Sequence, residues 1–256
     1  MTHIVAIANQ KGGVGKTTTA INVSSSVAAA EKRALVVDMD PQANLTSGLG
    51  VDARGGTIYR GLVEGVPAET LIRDTALATL KAIPSERNLT GAEIELVDEP
   101  RREFRLREFL EPVAGSFDYV FIDCPPSLGL LTLNALVAAD TVLIPLQCEF
   151  FALAGVSELV STVARVRASF NPNLRIEGIV FTMVDERTNL TTQVMEDVRQ
   201  SFPGIVYRSI IPRNVRLAEA PSFGKPILLY DVRSRGAEAY LSLTKEILGN
   251  EAQSAR

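Results

Sequence analysis

The 256 residues carry 26 Lys and Arg against 30 Asp and Glu, for a net charge of −4, with 46% hydrophobic and 22% charged residues, one His and two Cys. That is enough chain to bury the core of one large α/β domain of ordinary water-soluble composition. It excludes a surface coated all over in basic residues, a disulfide scaffold and, since no apolar run approaches the ~20 residues of a bilayer span, a transmembrane helix. The first ten residues show no basic segment followed by a leader-like apolar stretch, so a secretory signal is not expected. Cys124 and Cys148 have no metal or disulfide spacing, and both are expected to be small, buried and reduced in a cytosolic protein. His3, at the start of the first strand, is expected to be structural.

The apolar residues 4–8 predict a strand, and a helix is predicted over about 17–30. Between them runs Asn9-Gln10-Lys11-Gly12-Gly13-Val14-Gly15-Lys16-Thr17-Thr18. Strand, glycine-rich loop and helix are the context of a phosphate-binding loop. Gly12, Gly13 and Gly15 free the backbone so that consecutive N–H groups turn inward, and the helix adds its own unpaired N–H groups and positive dipole end. Lys16 supplies a point charge for the β- and γ-phosphates, and the Thr17 hydroxyl suits Mg²⁺. The ordinary loop would have glycine at position 10, where Gln10 stands; a second lysine, Lys11, precedes Lys16 by five residues instead.

Residues 34–37 predict a buried strand ending in Asp38-Met39-Asp40-Pro41-Gln42. Ligands of α/β sheets gather at strand carboxyl ends, so both carboxylates are expected to face the phosphate site, ordering Mg²⁺-bound water and the attacking water. Residues 43–78, interrupted by Gly48, Gly50, Gly55, Gly56 and Gly61, predict short helices and loops, and 79–84 a strand. A helix is predicted over 99–113, its mixed-charge face solvated. A strand over 117–123 ends at Asp123, which fits the Walker B position behind the Mg²⁺ shell; Pro125-Pro126 stiffen a turn placed to sense the γ-phosphate. The remaining elements alternate: a helix over 128–139, a strand over 141–146, a helix over 155–170 and a strand over 175–183. Then come a polar loop at 185–189, a helix to about 202, a strand over 205–211, the segment 212–226, and a last helix over about 234–248 with a frayed tail from about 250 to 256. Without a linker, repeat or low-complexity segment, residues 1–256 read as one domain: a doubly wound, mostly parallel sheet with helices on both faces, the P-loop NTPase arrangement.

The loop Lys11-Gly12-Gly13-Val14-Gly15-Lys16-Thr17-Thr18 resembles the deviant Walker A loop of the ParA/MinD ATPases. With Val37–Gln42, Phe121–Ser127, the segment 212–226, Tyr230-Asp231 and Arg235-Gly236-Ala237-Glu238, the chain is similar to the ParA/Soj chromosome- and plasmid-partitioning branch. It starts directly at the phosphate loop and lacks the N-terminal helix-turn-helix domain of some plasmid members, so operator binding is not implied. The resemblance implies a weak ATPase that binds ATP and Mg²⁺ between two subunits of a face-to-face homodimer. Lys11 to Thr18 would bind the nucleotide, with Lys16 on its own phosphates and Lys11 reaching across to the partner's. Thr17 would ligate Mg²⁺ with Asp123 behind it, Asp40 would orient the attacking water, Asp38 would support Asp40, and Pro212, Arg213 and Asn214 would line the adenine pocket. The dimer would bind double-stranded DNA non-specifically and release it after hydrolysis stimulated by a ParB/Spo0J-like centromere-binding partner. That implies a cytoplasmic, nucleoid-associated protein with no membrane partner.

Charge adds to the DNA expectation. From 208 to 235, six basic residues (Arg208, Arg213, Arg216, Lys225, Arg233, Arg235) face two acidic ones (Glu219, Asp231), an excess of four that leaves −8 for the rest. Such asymmetry suits a polyanion bound through its phosphates. Arg187 and Arg216, then Lys225, Arg233 and Arg235, are the candidate contacts. Three rival readings share the loop. A MinD-type membrane-associated division-site ATPase would need an amphipathic C-terminal helix, which residues 248–256 do not offer. An Fe–S reductase of the nitrogenase type would need both cysteines placed for a cluster. A dethiobiotin-synthetase-like kinase or ligase would need a separate acceptor pocket. ParA-like positioning of another large cargo would use the same residues.

Overall fold

The computed structural model describes residues 2–185 and 187–254. Among them eight strands form one sheet: β1 (His3–Ile7), β2 (Ala34–Asp38), β3 (Arg73–Asp74), β4 (Leu80–Ile83), β5 (Tyr119–Asp123), β6 (Thr141–Gln147), β7 (Arg175–Val184) and β8 (Val206–Pro212). Their spatial order is β3-β4-β2-β5-β1-β6-β7-β8, and only the β3–β4 pair is antiparallel. The central strands β2 and β5 are buried at every residue, which is why they read as unbroken apolar runs rather than alternating ones. The pleat sends successive side chains to opposite faces. Ala6, Leu35, Val37, Val120 and Ile122 pack on one side with Leu62, Phe109, Leu131 and Val156. Val5, Ile7, Val36, Phe121 and Leu143 pack on the other with Val23, Val27, Tyr240 and Leu243. Both faces are therefore covered by helices, the doubly wound arrangement expected.

Register aligns the functional strand ends. Ile7 of β1 and Asp38 of β2 both pair with Asp123 of β5, so the phosphate loop and two of the acidic residues leave the sheet at one level. The ladder continues past the strands through Met39 N–H to the Asp123 carbonyl (2.9 Å) and Cys124 N–H to the Ile7 carbonyl (3.2 Å), holding the outgoing turns against each other. The first helix, Lys16–Ala29, lies under this end. Its Asn22 side chain accepts from the Ile227 N–H at 2.8 Å, and Thr19 and Tyr240 share a hydroxyl hydrogen bond at 3.1 Å.

The structure revises several expected elements. Residues 99–113 are not one helix: Arg101 sits at φ +56°, a 3₁₀ turn covers Arg102–Phe104, and the α-helix begins at Arg105 and ends at Ala114. A helix over Leu89–Glu95 and the two-residue β3 went unassigned, both short elements with weak periodicity. The helix after β6 starts at Ala152, three residues early. The segment after β8 winds into short helical pieces, Val215–Glu219, Ala220–Phe223 and Ile227–Tyr230. The last helix runs Arg235–Ser254, through most of the expected tail; Glu186 of the predicted loop and residues 255–256 lie outside the described residues. Cys124 is buried, but Cys148 is only half-buried, and burial pushes its thiol up to about 11. His3 Nε2 lies 3.1 Å from both a Glu177 carboxylate oxygen and the Thr141 hydroxyl, tying β1 to β6 and β7.

Candidate active site

The phosphate loop is shaped by its glycines and braced from two strands, β6 and β7. Gly13 (φ +74°) and Gly15 (φ +86°) occupy the left-handed region, where any Cβ is strained. Gly15 immediately precedes the helix, so the backbone turns there from loop to helix and leaves the first N–H groups of the helix without intrahelical partners. Asn9 bridges the loop to β6, donating from Nδ2 to the Pro145 carbonyl (2.8 Å) and accepting from the Lys11 N–H (3.0 Å). Thr182 of β7 donates its hydroxyl to the Val14 carbonyl at 2.8 Å.

The two lysines of the loop point to different places. Lys16 is buried, 6% exposed, and its ammonium donates to the Lys11 carbonyl at 3.0 Å. Burial lowers its pKa, opposed in order by Asp123, the Cys124 thiol and Asp40. Lys11 instead turns outward: its side chain is 43% exposed and forms an ion pair with Glu149, in the turn after β6.

Asp40 and Asp123 act on Lys16, and Asp38 lies behind them. Asp38 is fully buried and accepts from the Thr46 N–H (2.9 Å), the Thr46 hydroxyl (2.7 Å) and the Asp40 N–H (3.1 Å). Burial raises its pKa to about 6 against those bonds. Asp40, also buried, receives the Gln42 N–H at 2.9 Å. Asp123 is wholly buried, and neither carboxylate oxygen has a well-formed hydrogen-bond partner. Desolvation first and the Asp38 charge second drive its pKa far up, with Asp40 adding to them; the neighbouring Thr17 hydroxyl and Lys16 do not cancel this. A buried acidic side chain whose oxygens lack well-formed protein partners, beside a loop threonine, is a donor set that suits a hard cation. Among the described residues no group of three or more His, Cys, Asp or Glu forms a protein cage for a metal. The donor set thus fits Mg²⁺, which takes few carboxylates and completes its shell with phosphate oxygens and water.

Beside the loop a cavity of about 160 Å³ is lined by Gly15, Thr18, Met183, Pro212, Arg213, Asn214 and Tyr240, bringing the three expected base-pocket residues to the phosphate loop. Asn214 spends its Oδ1 on capping the helix Val215–Glu219 through the Leu217 N–H (3.2 Å). Met183 was not foreseen, nor were Asn9, Thr182 and Glu149. Its backbone is left-handed at φ +51°, a strained state for a methionine, at the carboxyl end of β7. The strand-end rule that singled out Asp38 and Asp123 could have flagged it too.

The basic residues are less uniform than their count suggests. An open cavity of about 760 Å³ gathers Arg187, Arg213 and Arg235 with Asp185 and Glu238. Arg187 is paired with Asp185, and Arg216 with Glu219 (2.9 Å) and Asp231 (3.5 Å), the two acidic residues of the 208–235 stretch. Lys225, Arg233 and Arg235 are exposed. No described helix is long and apolar enough to cross a membrane.

Comparison with known proteins places the chain in a family. A family model described as an AAA domain matches residues 2–176. The chain is 57% identical over 248 residues to the chromosome partitioning protein ParA of Myxococcus xanthus, covering 96% of this chain and 88% of that one. It is 54% identical over 252 residues to the sporulation initiation inhibitor protein Soj of Bacillus subtilis, covering 98% and 100%. Among solved structures, cobyrinic acid a,c-diamide synthase from Mycobacterium smegmatis with bound ADP and magnesium is similar at TM-score 0.87 and 36% identity, covering 100% of this chain and 97% of that one. The cell division ATPase MinD of Pyrococcus furiosus follows at TM-score 0.83 and 25% identity, covering 98% and 100%. The two-lysine loop, the strand-end aspartates and these near-full-length identities lead to one assignment: the chain belongs to the ParA/Soj chromosome-partitioning branch of the ParA/MinD ATPases.

Proposed function

We propose that this chain is an ATP-driven switch in DNA segregation, closing as a pair over two nucleotides and gripping DNA only while closed. The observation that carries the reading is the divergence of its two loop lysines. Lys16 sits inside its own loop among Asp40 and Asp123, whereas Lys11 is half-exposed and pairs with Glu149 outside the loop. A lysine so placed serves a nucleotide held by a second copy better than its own. Thr17 would hold Mg²⁺ with Asp123 behind it, and the ion would neutralise charge developing on the phosphates. Asp40 would orient the attacking water, supported by Asp38, which accepts the Asp40 N–H. Phosphoryl transfer depends on positioning and charge, so a cation delivered only by closure gates the rate, and basal turnover is weak.

Arg187, Arg213 and Arg235 support the DNA half of the reading, with Lys225 and Arg233 exposed nearby in sequence. Arg187 and Arg216 already have carboxylate partners in the free chain, so they contribute only by exchanging those partners for phosphates. Closing two copies doubles the phosphate contacts and steepens the salt dependence. Hydrolysis, stimulated by a centromere-binding partner of the ParB/Spo0J kind, would reopen the pair and release the DNA. The name of the diamide synthase suggests a second chemistry on this fold; the cavity beside the loop here is lined by Gly15, Thr18, Pro212, Arg213 and Asn214, which suits an adenine base. The test is binding to several unrelated duplexes with Mg-ATPγS or Mg-ADP at a series of salt concentrations. Sequence-independent, salt-sensitive binding with ATPγS alone is expected; equal binding with ADP, or none with either, refutes the switch.

A further inference from the structure

The turn after β6 carries more than a connection. Glu149 holds the Lys11 ammonium, while the next two residues, Phe150 and Phe151, are 77% and 71% exposed with their rings packed edge-to-face at 5.0 Å. Two adjacent exposed aromatics are unusual on a free surface. This pair directly follows, in the chain, the residue that holds Lys11.

We infer that Glu149 is an intrachain catch on Lys11, and that Phe150 and Phe151 belong to the face a second copy of this chain covers when the catch opens. The inference rests on the reading that Lys11 serves the partner's nucleotide. Two physical effects then act with the same sign. Lys11 cannot reach across while it is paired with Glu149, so closure breaks one such pair in each chain. The released Glu149 carboxylate is also brought toward a triphosphate, and like charges oppose closure. Both make Glu149 raise the threshold for pairing, while burial of the two rings supplies apolar area that offsets it. The catch keeps the free protein open at low nucleotide occupancy.

The Lys11–Glu149 pair is about half exposed, with side chains 43% and 46% accessible. At the strength ordinary for such pairs, losing two of them weakens closure by about 2- to 30-fold. Sedimentation across a protein dilution series in Mg-ATPγS therefore should give Glu149→Gln a midpoint lower than the wild type by about that factor. The Phe150→Ala/Phe151→Ala double variant should have a midpoint raised by about tenfold or more. Amine labelling of the nucleotide-free protein, read by mass spectrometry, should find Lys11 labelled several-fold faster in Glu149→Gln. If the wild type pairs but Glu149→Gln pairs no more tightly, or its Lys11 is labelled no faster, the catch is wrong while the reading of Lys11 stands. If the double alanine variant pairs as the wild type does, the aromatic turn lies outside the interface. If the wild type stays a single subunit at every concentration, the reading of Lys11 falls and the catch falls with it.

Discussion

Replacing Lys16 with methionine separates what the loop lysine does for function from what it does for the fold. In the free protein the ammonium is buried, and desolvation outweighs the attraction of the acidic groups around it, Asp123 first, so its folded pKa lies below the unfolded value. A lysine shifted in that direction costs stability fully below its folded pKa, and the cost is relieved only as pH rises through it. At neutral pH, then, Lys16→Met removes an unfavourable charge while keeping most of the apolar stem. Against that it forfeits the hydrogen bond to the Lys11 carbonyl, about 1 kcal/mol net. The two terms oppose each other, so the free variant should melt within about 4 °C of the wild type. If the lysine were the stabilising partner of a buried ion network, its loss would cost about 3–5 kcal/mol. Function should respond differently. Nucleotide at about 1,000 times its Kd stabilises by about 4 kcal/mol, a rise of roughly 8–16 °C for a chain of this size. Thermal scans with and without Mg-ATPγS should show that rise in the wild type and none in Lys16→Met. A variant that keeps the nucleotide shift, or that loses more than about 10 °C when free, refutes the argument.

Three further outcomes follow from the geometry. Lys11→Ala should leave single-chain nucleotide affinity within about threefold, because its ammonium faces Glu149, yet lower turnover by at least tenfold in a coupled ATPase assay. Asp40→Ala should retain ATP and stay on DNA far longer than the wild type when release is followed by surface plasmon resonance; fast release would remove Asp40 from the water-orienting role. The third outcome concerns pH. Burial alone would raise Glu177, but hydrogen bonds from His3, Thr141 and Tyr207 outweigh it and hold its carboxylate below the usual range. A carboxylate lowered in this way contributes stability above its unfolded pKa that is lost as pH falls through the folded one. Glu177→Gln should therefore be about 1–3 kcal/mol less stable at pH 7 and lack part of the wild type's fall in melting temperature below about pH 4.5.

Most of the sheet was legible because a doubly covered parallel sheet turns each strand into an uninterrupted apolar run, as in Leu35–Val37 and Val120–Ile122. Asp38, Asp40 and Asp123 were legible because they end those strands beside a recognisable loop. Their chemistry was not: that Asp123 has no well-formed partner and that Asp38 leans on Thr46 depends on residues eight or more positions apart meeting in space. Met183 and Thr182 approach the loop from β7, on the far side of β6, a proximity no local pattern encodes. The short elements failed for a different reason. Helix Leu89–Glu95 is barely two turns, and the apolar spacing of the helix beginning at Arg105 starts only at Phe104, so it does not constrain Glu99–Arg101, where the backbone at Arg101 is left-handed. The basic count over 208–235 was correct as arithmetic but omitted pairing, since Glu219 and Asp231 both face Arg216.

The central claim is that two copies close over nucleotide, each lending the other Lys11. Light scattering on the purified chain in Mg-ATPγS measures it directly. The account predicts a particle of about twice 27.6 kDa that returns to a single chain in Mg-ADP and does not form with Lys11→Ala. A wild-type particle that stays at 27.6 kDa in ATPγS, or an equally stable pair formed by Lys11→Ala, would contradict it.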